Sequence, residues 1–305
     1  MNKKIIIGSR GSNLSLAYAN KVKSLILNKR PNLSIEIVKI KTTGDIFKEK
    51  KISELGGKNY FCKEIEEQLI NNQIDIAVHA FKDLDSFGNK NLTIGAFMKR
   101  NDNRDALVLR DKHEKASDTK TKIIGTNSRR RSLQLKLIDE NTQIKEIRGN
   151  IDTRIKKLSE KNYDGIILAM AGLKTLKLDQ NVTKIFNTDQ MISCAGQGVI
   201  VAQCKIKDKK IISILNQIDH SETRKCAEAE KILLQTIGGD CHTAIGVFAQ
   251  KIDKKFEIIA QLFSDDGKEN FSVKKKCDES ELKNVAIIAG RELLKVAGSK
   301  YKKKK

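Results

Sequence analysis

At 305 residues, 39% hydrophobic and 32% charged, the chain is too long for one comfortable core and too apolar to be disordered, so two or three folded domains are expected. Lys and Arg outnumber Asp and Glu by 59 to 38, a net charge of +21, yet aromatics are only 5% and tryptophan is absent, which argues against a nucleic-acid binder that stacks bases. No stretch approaches the ~20 apolar residues of a membrane helix, and Ile5-Ile6-Ile7 is too short a run for a signal peptide, so a cytoplasmic protein without membrane contact is expected.

Six cysteines (Cys62, Cys194, Cys204, Cys226, Cys241 and Cys277) are then expected as free thiols, and none forms a C-x-x-C pair, so no metal site is expected. Part of the charge is a solvated tail, Lys300 and Lys302 to Lys305; much of the rest is Lys scattered over helix faces. Arginine clusters instead, at Arg129, Arg130, Arg131, Arg148 and Arg154. Its planar fork suits carboxylate or phosphate, so a polyanionic partner is indicated.

In chain order, a strand over residues 4–8 ends at Gly8, and Ser9-Arg10-Gly11-Ser12 turns into a helix from Leu14 to about Leu27. A strand from Ser34 to Lys41 leads to Thr42-Thr43-Gly44-Asp45. The polar segment that follows, to Lys58, reads as a mobile loop able to cover a cleft. Helical spacing returns over 60–72, and a strand over 76–80 delivers Lys82-Asp83 to its carboxyl end, where α/β sheets usually carry their chemistry.

Near Asn101 to Asp105 the chain crosses into a second unit that repeats the first: Lys122 to Ser128 echoes Lys4 to Ser9, and Asp164 to Leu173 echoes the stretch from Asp75. Two such units imply a cleft between them. Arg129-Arg130-Arg131 opens a helix in the second unit, against the macrodipole, so the spacing predicts an anionic partner there. A strand at about 144–147 precedes Arg148-Gly149-Asn150, and Gly196-Gln197-Gly198 heads a strand, Val199 to Ala202, that can return the chain to the first unit. From Asp219 a third unit follows: helix 222–237, strands at 244–250 and 256–263, and a helix at 282–296. Between that first helix and strand, Gly238-Gly239-Asp240-Cys241 exposes a thiol able to carry a covalent group.

The ordered set Gly8-Ser9-Arg10, Lys41 to Asp45, Gly56-Gly57-Lys58, Val78 to Asp83, Arg104-Asp105-Ala106, Gly125 to Arg131, Arg148-Gly149-Asn150, Ala171 to Lys174, Gly196-Gln197-Gly198 and Gly239-Asp240-Cys241 resembles the hydroxymethylbilane synthase (porphobilinogen deaminase) family over nearly the whole chain. The resemblance implies an α/β fold: two periplasmic-binding-protein-like (type II) domains with a cleft between them, plus a smaller C-terminal α+β domain. The boundaries expected are 1–98 with 197–216, then 102–192, then 220–300, with a basic tail over 301–305. It implies a dipyrromethane cofactor, one per chain, thioether-linked to Cys241. The activity implied is head-to-tail condensation of four porphobilinogen molecules with loss of ammonia, in a monomer.

By position, the resemblance makes Asp83 the catalytic carboxylate, protonating the leaving amine and stabilising the electron-poor ring left behind. Lys82, Asp83, Ser128, Arg130 and Arg131 match cofactor contacts; Arg10, Arg148, Arg154 and Lys58 match substrate contacts. Departures exist. Pro31 is the only proline, and Asp85, Asn103, Ser193, Ala195 and Ala244 stand where the family often has proline, which softens turns by up to about 1 kcal/mol each. Thr175 stands where many members carry an anion-binding Arg, Asn59-Tyr60 replaces a smaller pair, and Asp240 adds charge beside Cys241. The competing readings are a solute-binding protein of the same architecture, which needs no Cys241, and an inactive homologue.

Overall fold

The structure is a computed structural model that describes residues 4–46, 62–85, 88–111, 122–160, 162–240 and 243–302. The chain divides into two compact units, residues 1–101 with 198–224 and residues 102–197 with 225–305.

The first unit is built from β1 (Ile5–Arg10), α1 (Asn13–Lys29), β2 (Ile35–Ile40), a short α2 (Thr43–Ile46), α3 (Lys63–Ile70), β3 (Ile76–Ala80) and β4 (Leu92–Phe97). The tenth strand of the chain, β10 (Ile200–Lys205), and α7 (Lys209–Asn216) complete it. The sheet order is β2-β1-β3-β10-β4. β1 is parallel to β2 and β3, whereas β10 runs antiparallel to both β3 and β4. Ile7, Ile76 and Ala77 are wholly buried, as expected of central strands covered on both faces. Tyr18, Ala19, Val22 and Ile26 of α1 pack on one face with Ile211, Ile214 and Leu215 of α7. Ile65 and Leu69 of α3 cover the other, against Ile40, Ile74 and Ala77.

The second unit repeats that order with different connectivity. Its strands are β5 (Asp105–Leu109), β6 (Ile123–Gly125), β7 (Gln143–Lys145), β8 (Gly165–Ala169) and β9 (Lys184–Ile185), arranged β7-β6-β8-β5-β9. Here too three strands are parallel and the fourth, β5, runs antiparallel to both neighbours. β5 therefore occupies the position that β10 holds in the first sheet, which is the type II periplasmic-binding-protein arrangement. The helices are α4 (Arg129–Ile138), α5 (Ile151–Ser159) and α6 (Met170–Thr175).

The same unit carries α8 (Ser221–Thr236), of which residues from Lys225 belong to it, and an antiparallel sheet β11-β12-β13 (Ile245–Ile252, Lys255–Phe263, Asn270–Cys277) closed by α9 (Leu282–Ala297). One face of that sheet, with Val247, Phe256, Ile258, Ala260 and Leu262, packs on Leu233, Ile237, Ala286 and Leu293. Wholly buried Glu230 accepts from the N–H groups of Gly196 (2.7 Å) and Ala249 (2.8 Å), so α8 ties the 194–197 segment to this sheet.

Several elements differ from the sequence expectation. The 170–175 segment, directly after β8, is a helical turn and a half, and Thr43 to Ile46 likewise winds into α2. β4, β5, α5, β9, α7 and β13 have no counterpart in the sequence expectation. All five described cysteines, Cys62, Cys194, Cys204, Cys226 and Cys277, are free thiols. No helix among the described residues is long and apolar enough to cross a membrane.

Candidate functional site

In the first unit the carboxyl ends of β1 and β3 bring Arg10, Lys82 and Asp83 to one edge of the sheet. The strand register sets Ile7 beside Ile76 and Gly8 beside Ala77, so Arg10 falls level with His79. After β3 the chain makes one 3-10 turn, Phe81–Asp83. Buried Phe81 anchors that turn: its N–H donates to Val199 O (2.9 Å), and its ring meets Phe97 edge-on at 5.1 Å. The Cys62 thiol donates to Asp83 O at 3.5 Å. With Phe81 and Leu84 held inward, Lys82 is half-buried and the Asp83 carboxylate is exposed. A rigid turn thus presents an acid to solvent at the position where strand chemistry is carried.

Arg10 does not stand alone. Its Nη2 donates to Asp45 Oδ1 at 2.6 Å, and the Thr42 hydroxyl donates to Asp45 Oδ2 at 2.8 Å. Burial alone would raise the Asp45 carboxyl, but the Arg10 guanidinium and Thr42 outweigh it and hold it below its ordinary value. Behind this edge lies His79, 5% exposed, whose Nε2 has no hydrogen-bond partner among the described residues. Burial pushes its pKa down to about 4, against a smaller opposing contribution from Gln203, so the ring is neutral at physiological pH.

In the second unit the arginines gather around the ends of β6 and β7. Ser128 caps α4, accepting from the Arg131 N–H at 3.4 Å. Arg129 is exposed and donates to Asp265 O. Arg130 and Arg131 turn inward, 3% and 7% exposed, onto Asp105, which is wholly buried. Arg130 Nη1 donates to Asp105 Oδ2 at 2.7 Å; Arg131 Nε and Nη2 donate to Oδ1 at 3.0 and 2.7 Å. Gln197 Nε2 adds a further donor to Oδ1 at 2.9 Å, and Arg131 Nη1 donates to Ile167 O. Burial would raise the Asp105 carboxyl, yet the two guanidiniums hold it well below the carboxylate range. The anion that the sequence demanded at the start of α4 is therefore supplied first from within the protein.

One carboxylate does not satisfy the whole cluster. Arg130 Nε is buried with no hydrogen-bond partner among the described residues. Arg154, on α5, donates from Nε to Gly149 O (2.8 Å) and pairs with no carboxylate among the described residues, and burial together with the nearby Arg131 charge pushes it down to about 10. That carbonyl is offered by Gly149 at φ +112°, where an added Cβ would lie 2.8 Å from the Thr153 side chain. Arg148 is half-buried, with Glu146 at 3.5 Å. Thr175 turns its hydroxyl back to Ala171 O at 2.7 Å.

The structure thus gathers Arg10, Lys82 and Asp83 in one unit and Ser128, Arg130, Arg131, Arg148 and Arg154 in the other. Lys58 and Cys241 lie outside the described residues. Asp105 and Gln197 lie within the motifs Arg104-Asp105-Ala106 and Gly196-Gln197-Gly198, to which the resemblance attaches no role for either residue. The available signal was a charged residue opening an otherwise wholly apolar strand, Asp105-Ala106-Leu107-Val108-Leu109.

A buried donor without an acceptor and a guanidinium without a carboxylate both fit a ligand bearing several carboxylates, as a dipyrromethane with acetate and propionate side chains does. Comparison with known proteins points the same way. Residues 5–213 match the family described as porphobilinogen deaminase, dipyromethane cofactor binding domain, and residues 224–295 match porphobilinogen deaminase, C-terminal domain. The porphobilinogen deaminase of Coxiella burnetii (strain RSA 331) is 36% identical over 296 residues, 97% of this chain and 96% of that protein. Those of Syntrophomonas wolfei and Fusobacterium nucleatum are 35% and 39% identical, over 97% and 96% of this chain and 97% and 98% of theirs.

Proposed function

The chain belongs to the porphobilinogen deaminase family, and from that premise we propose how its own residues carry out the family's reaction. The activity is that of a hydroxymethylbilane synthase, a transferase of porphyrin biosynthesis: four porphobilinogen molecules are joined head to tail with loss of ammonia, giving the linear tetrapyrrole. The cofactor is dipyrromethane, which when bound supplies the pyrrole carbon to which the first substrate is joined.

Asp83 is the catalytic residue of the reading. Exposed on a turn fixed by Phe81, its carboxyl gives a proton to the departing amine; as a carboxylate it then stabilises positive charge on the ring that amine leaves. Lys82 beside it contributes positive charge toward substrate carboxylates. Arg10 does the same with an orientation fixed by Asp45. Ser128 fixes the start of α4, and Arg130, Arg131, Arg148 and Arg154 hold acetate and propionate groups, Arg130 and Arg131 those of the cofactor and Arg148 and Arg154 those of the incoming substrate. Cys241 is the attachment point and Lys58 a further substrate contact. The observation that carries the anion-binding half of this reading is the surplus of guanidinium over carboxylate around Asp105.

The same reading divides the chain into domains at 1–98 with 197–216, 102–192 and 220–300, with a basic tail over 301–305. It describes a cytoplasmic monomer acting on free porphobilinogen, with no nucleic-acid partner. Intact-mass measurement of protein from a haem-competent host tests the assignment: active wild-type enzyme carries a two-pyrrole adduct, and Cys241→Ser lacks it. Unmodified mass in active enzyme refutes the attachment site, and absence of turnover in loaded protein favours an inactive homologue.

A further inference from the structure

We propose that Asp105 and Gln134 together set the charge of the anion-holding cluster, Asp105 by fixing two guanidiniums with one carboxylate and Gln134 by staying neutral, so that Arg130 keeps its positive charge for a ligand's carboxylate. This rests on the reading of Arg130, Arg131 and Arg154 as anion contacts and extends it to two residues that act through Arg130 and Arg131.

The argument is one of counting charges that are out of water. Asp105 receives four hydrogen bonds, two from Arg131, one from Arg130 and one from Gln197, and its negative charge is shared between two buried cations. Arg154 adds a third cation, close enough to Arg131 to feel its repulsion. Buried charges are ordinarily matched one to one, so a surplus of this kind is costly unless something else balances it.

Gln134 occupies the position where a match was available. It is 1% exposed, and its Oε1 accepts from Arg130 Nη1 at 3.2 Å while its Nε2 donates to Gln261 Oε1 at 3.1 Å. A glutamate there would keep the oxygen that faces Arg130 and give that guanidinium a counter-ion. Its second oxygen would meet Gln261, whose Nε2 can turn to donate to it by giving up its exposed bond to Asn270 Oδ1 (3.1 Å). The neutral amide thus preserves the hydrogen bond and withholds the charge. Arg131, by contrast, has its Nε, Nη1 and Nη2 all engaged within the protein. Arg130 also donates from Nη1 to Ile192 O at 2.8 Å and meets Cys194, so among the described residues its unpartnered Nε is the donor of the pair left for a ligand.

Gln134→Glu tests this. Its thermal midpoint should equal or exceed that of the wild type. Apo-chain incubated with porphobilinogen should acquire the two-pyrrole mass at least about tenfold more slowly, the scale of one charge-assisted hydrogen bond. In loaded enzyme KM for porphobilinogen should stay within about threefold of wild type, because Arg148 and Arg154, not Arg130, hold the incoming substrate. Gln134→Met, which removes the hydrogen bond but keeps the surplus charge, should load within about threefold of wild type. A network with only a structural role predicts a raised midpoint with unchanged loading, and that result overturns the proposal. A clearly lowered midpoint in Gln134→Glu overturns it too, since a carboxylate beside an undercompensated guanidinium should not cost stability. If the wild-type chain neither acquires the adduct nor turns over substrate, the functional reading falls instead.

Discussion

Replacing Asp105 by Asn puts the buried arginine cluster to a direct test. The change is nearly isosteric but removes the carboxylate that receives Arg130 at 2.7 Å and Arg131 at 2.7 and 3.0 Å, in a position with no solvent exposure. Stripping one partner from a buried ion pair costs about 3–5 kcal/mol, because the cations left behind cannot recover their hydration. For a unit of this size that is a fall in midpoint of roughly 6–20 °C. The pH dependence has a definite sign. The folded-state carboxyl lies below its ordinary 3.8, so its contribution is fully present above that value and is lost as pH falls through the folded one. Asn cannot titrate, so the gap between wild type and variant should be full at pH 7, begin to shrink only below about pH 4, and close as pH falls through the folded-state value. Urea unfolding of both proteins across that range measures it. A gap under about 1 kcal/mol at neutral pH would refute the claim that this carboxylate neutralises two buried cations.

Other expectations follow from single residues. Asp83→Ala should lose at least ~10²-fold in turnover with the unfolding midpoint unchanged, because the side chain is exposed and the turn is held by Phe81; retained turnover removes Asp83 from its role. Buried His79, with its pKa lowered from 6.5 to about 4, contributes on the order of 3 kcal/mol that is complete above pH 6.5 and disappears as pH falls towards 4. His79→Gln should flatten that part of the stability profile in unfolding titrations. Arg154→Met should match or exceed wild-type stability while weakening substrate affinity, read as a raised KM; a destabilised protein would show that this guanidinium is already balanced. Gly149→Ala, at φ +112° and 2.8 Å from Thr153, should destabilise by at least about 1 kcal/mol and impair the same affinity by moving the carbonyl that orients Arg154.

Much of the fold was legible because the central strands are runs of Ile, Val and Ala bounded by glycine turns, and α1, α8 and α9 are long and periodic. The elements that escaped lack that signature. β13, Asn-Phe-Ser-Val-Lys-Lys-Lys-Cys, is an edge strand on which Lys274 and Lys276 are exposed and Lys275 is half-buried against Glu292, a polar pattern that composition alone assigns to a loop. α6 begins directly after β8, so apolar Met170, Ala171 and Leu173 read as strand continuing into a turn. At the site, Asp83 was legible from its position after a strand, and the arginines from their clustering. What the sequence does not reveal is that α4's arginines also have an internal partner. Asp105 lies 25 and 26 positions away from Arg130 and Arg131, a separation at which no local pattern reveals a pairing.

The insertion of β10 between β3 and β4 has a bearing on how the chain can be made. During synthesis the first hundred residues leave the ribosome with two unpaired inner edges, and the strand that seals them emerges only after another hundred have been translated. Until then those edges must be shielded from other nascent chains, whereas β5, the matching strand of the second sheet, is translated before every neighbour it will join. The second unit's sheet can thus close as it is made, and the N-terminal one finishes late. A fragment ending near residue 101 should aggregate rather than fold, while a permuted chain that supplies 198–224 directly after residue 101 should give the first unit as a self-sufficient body.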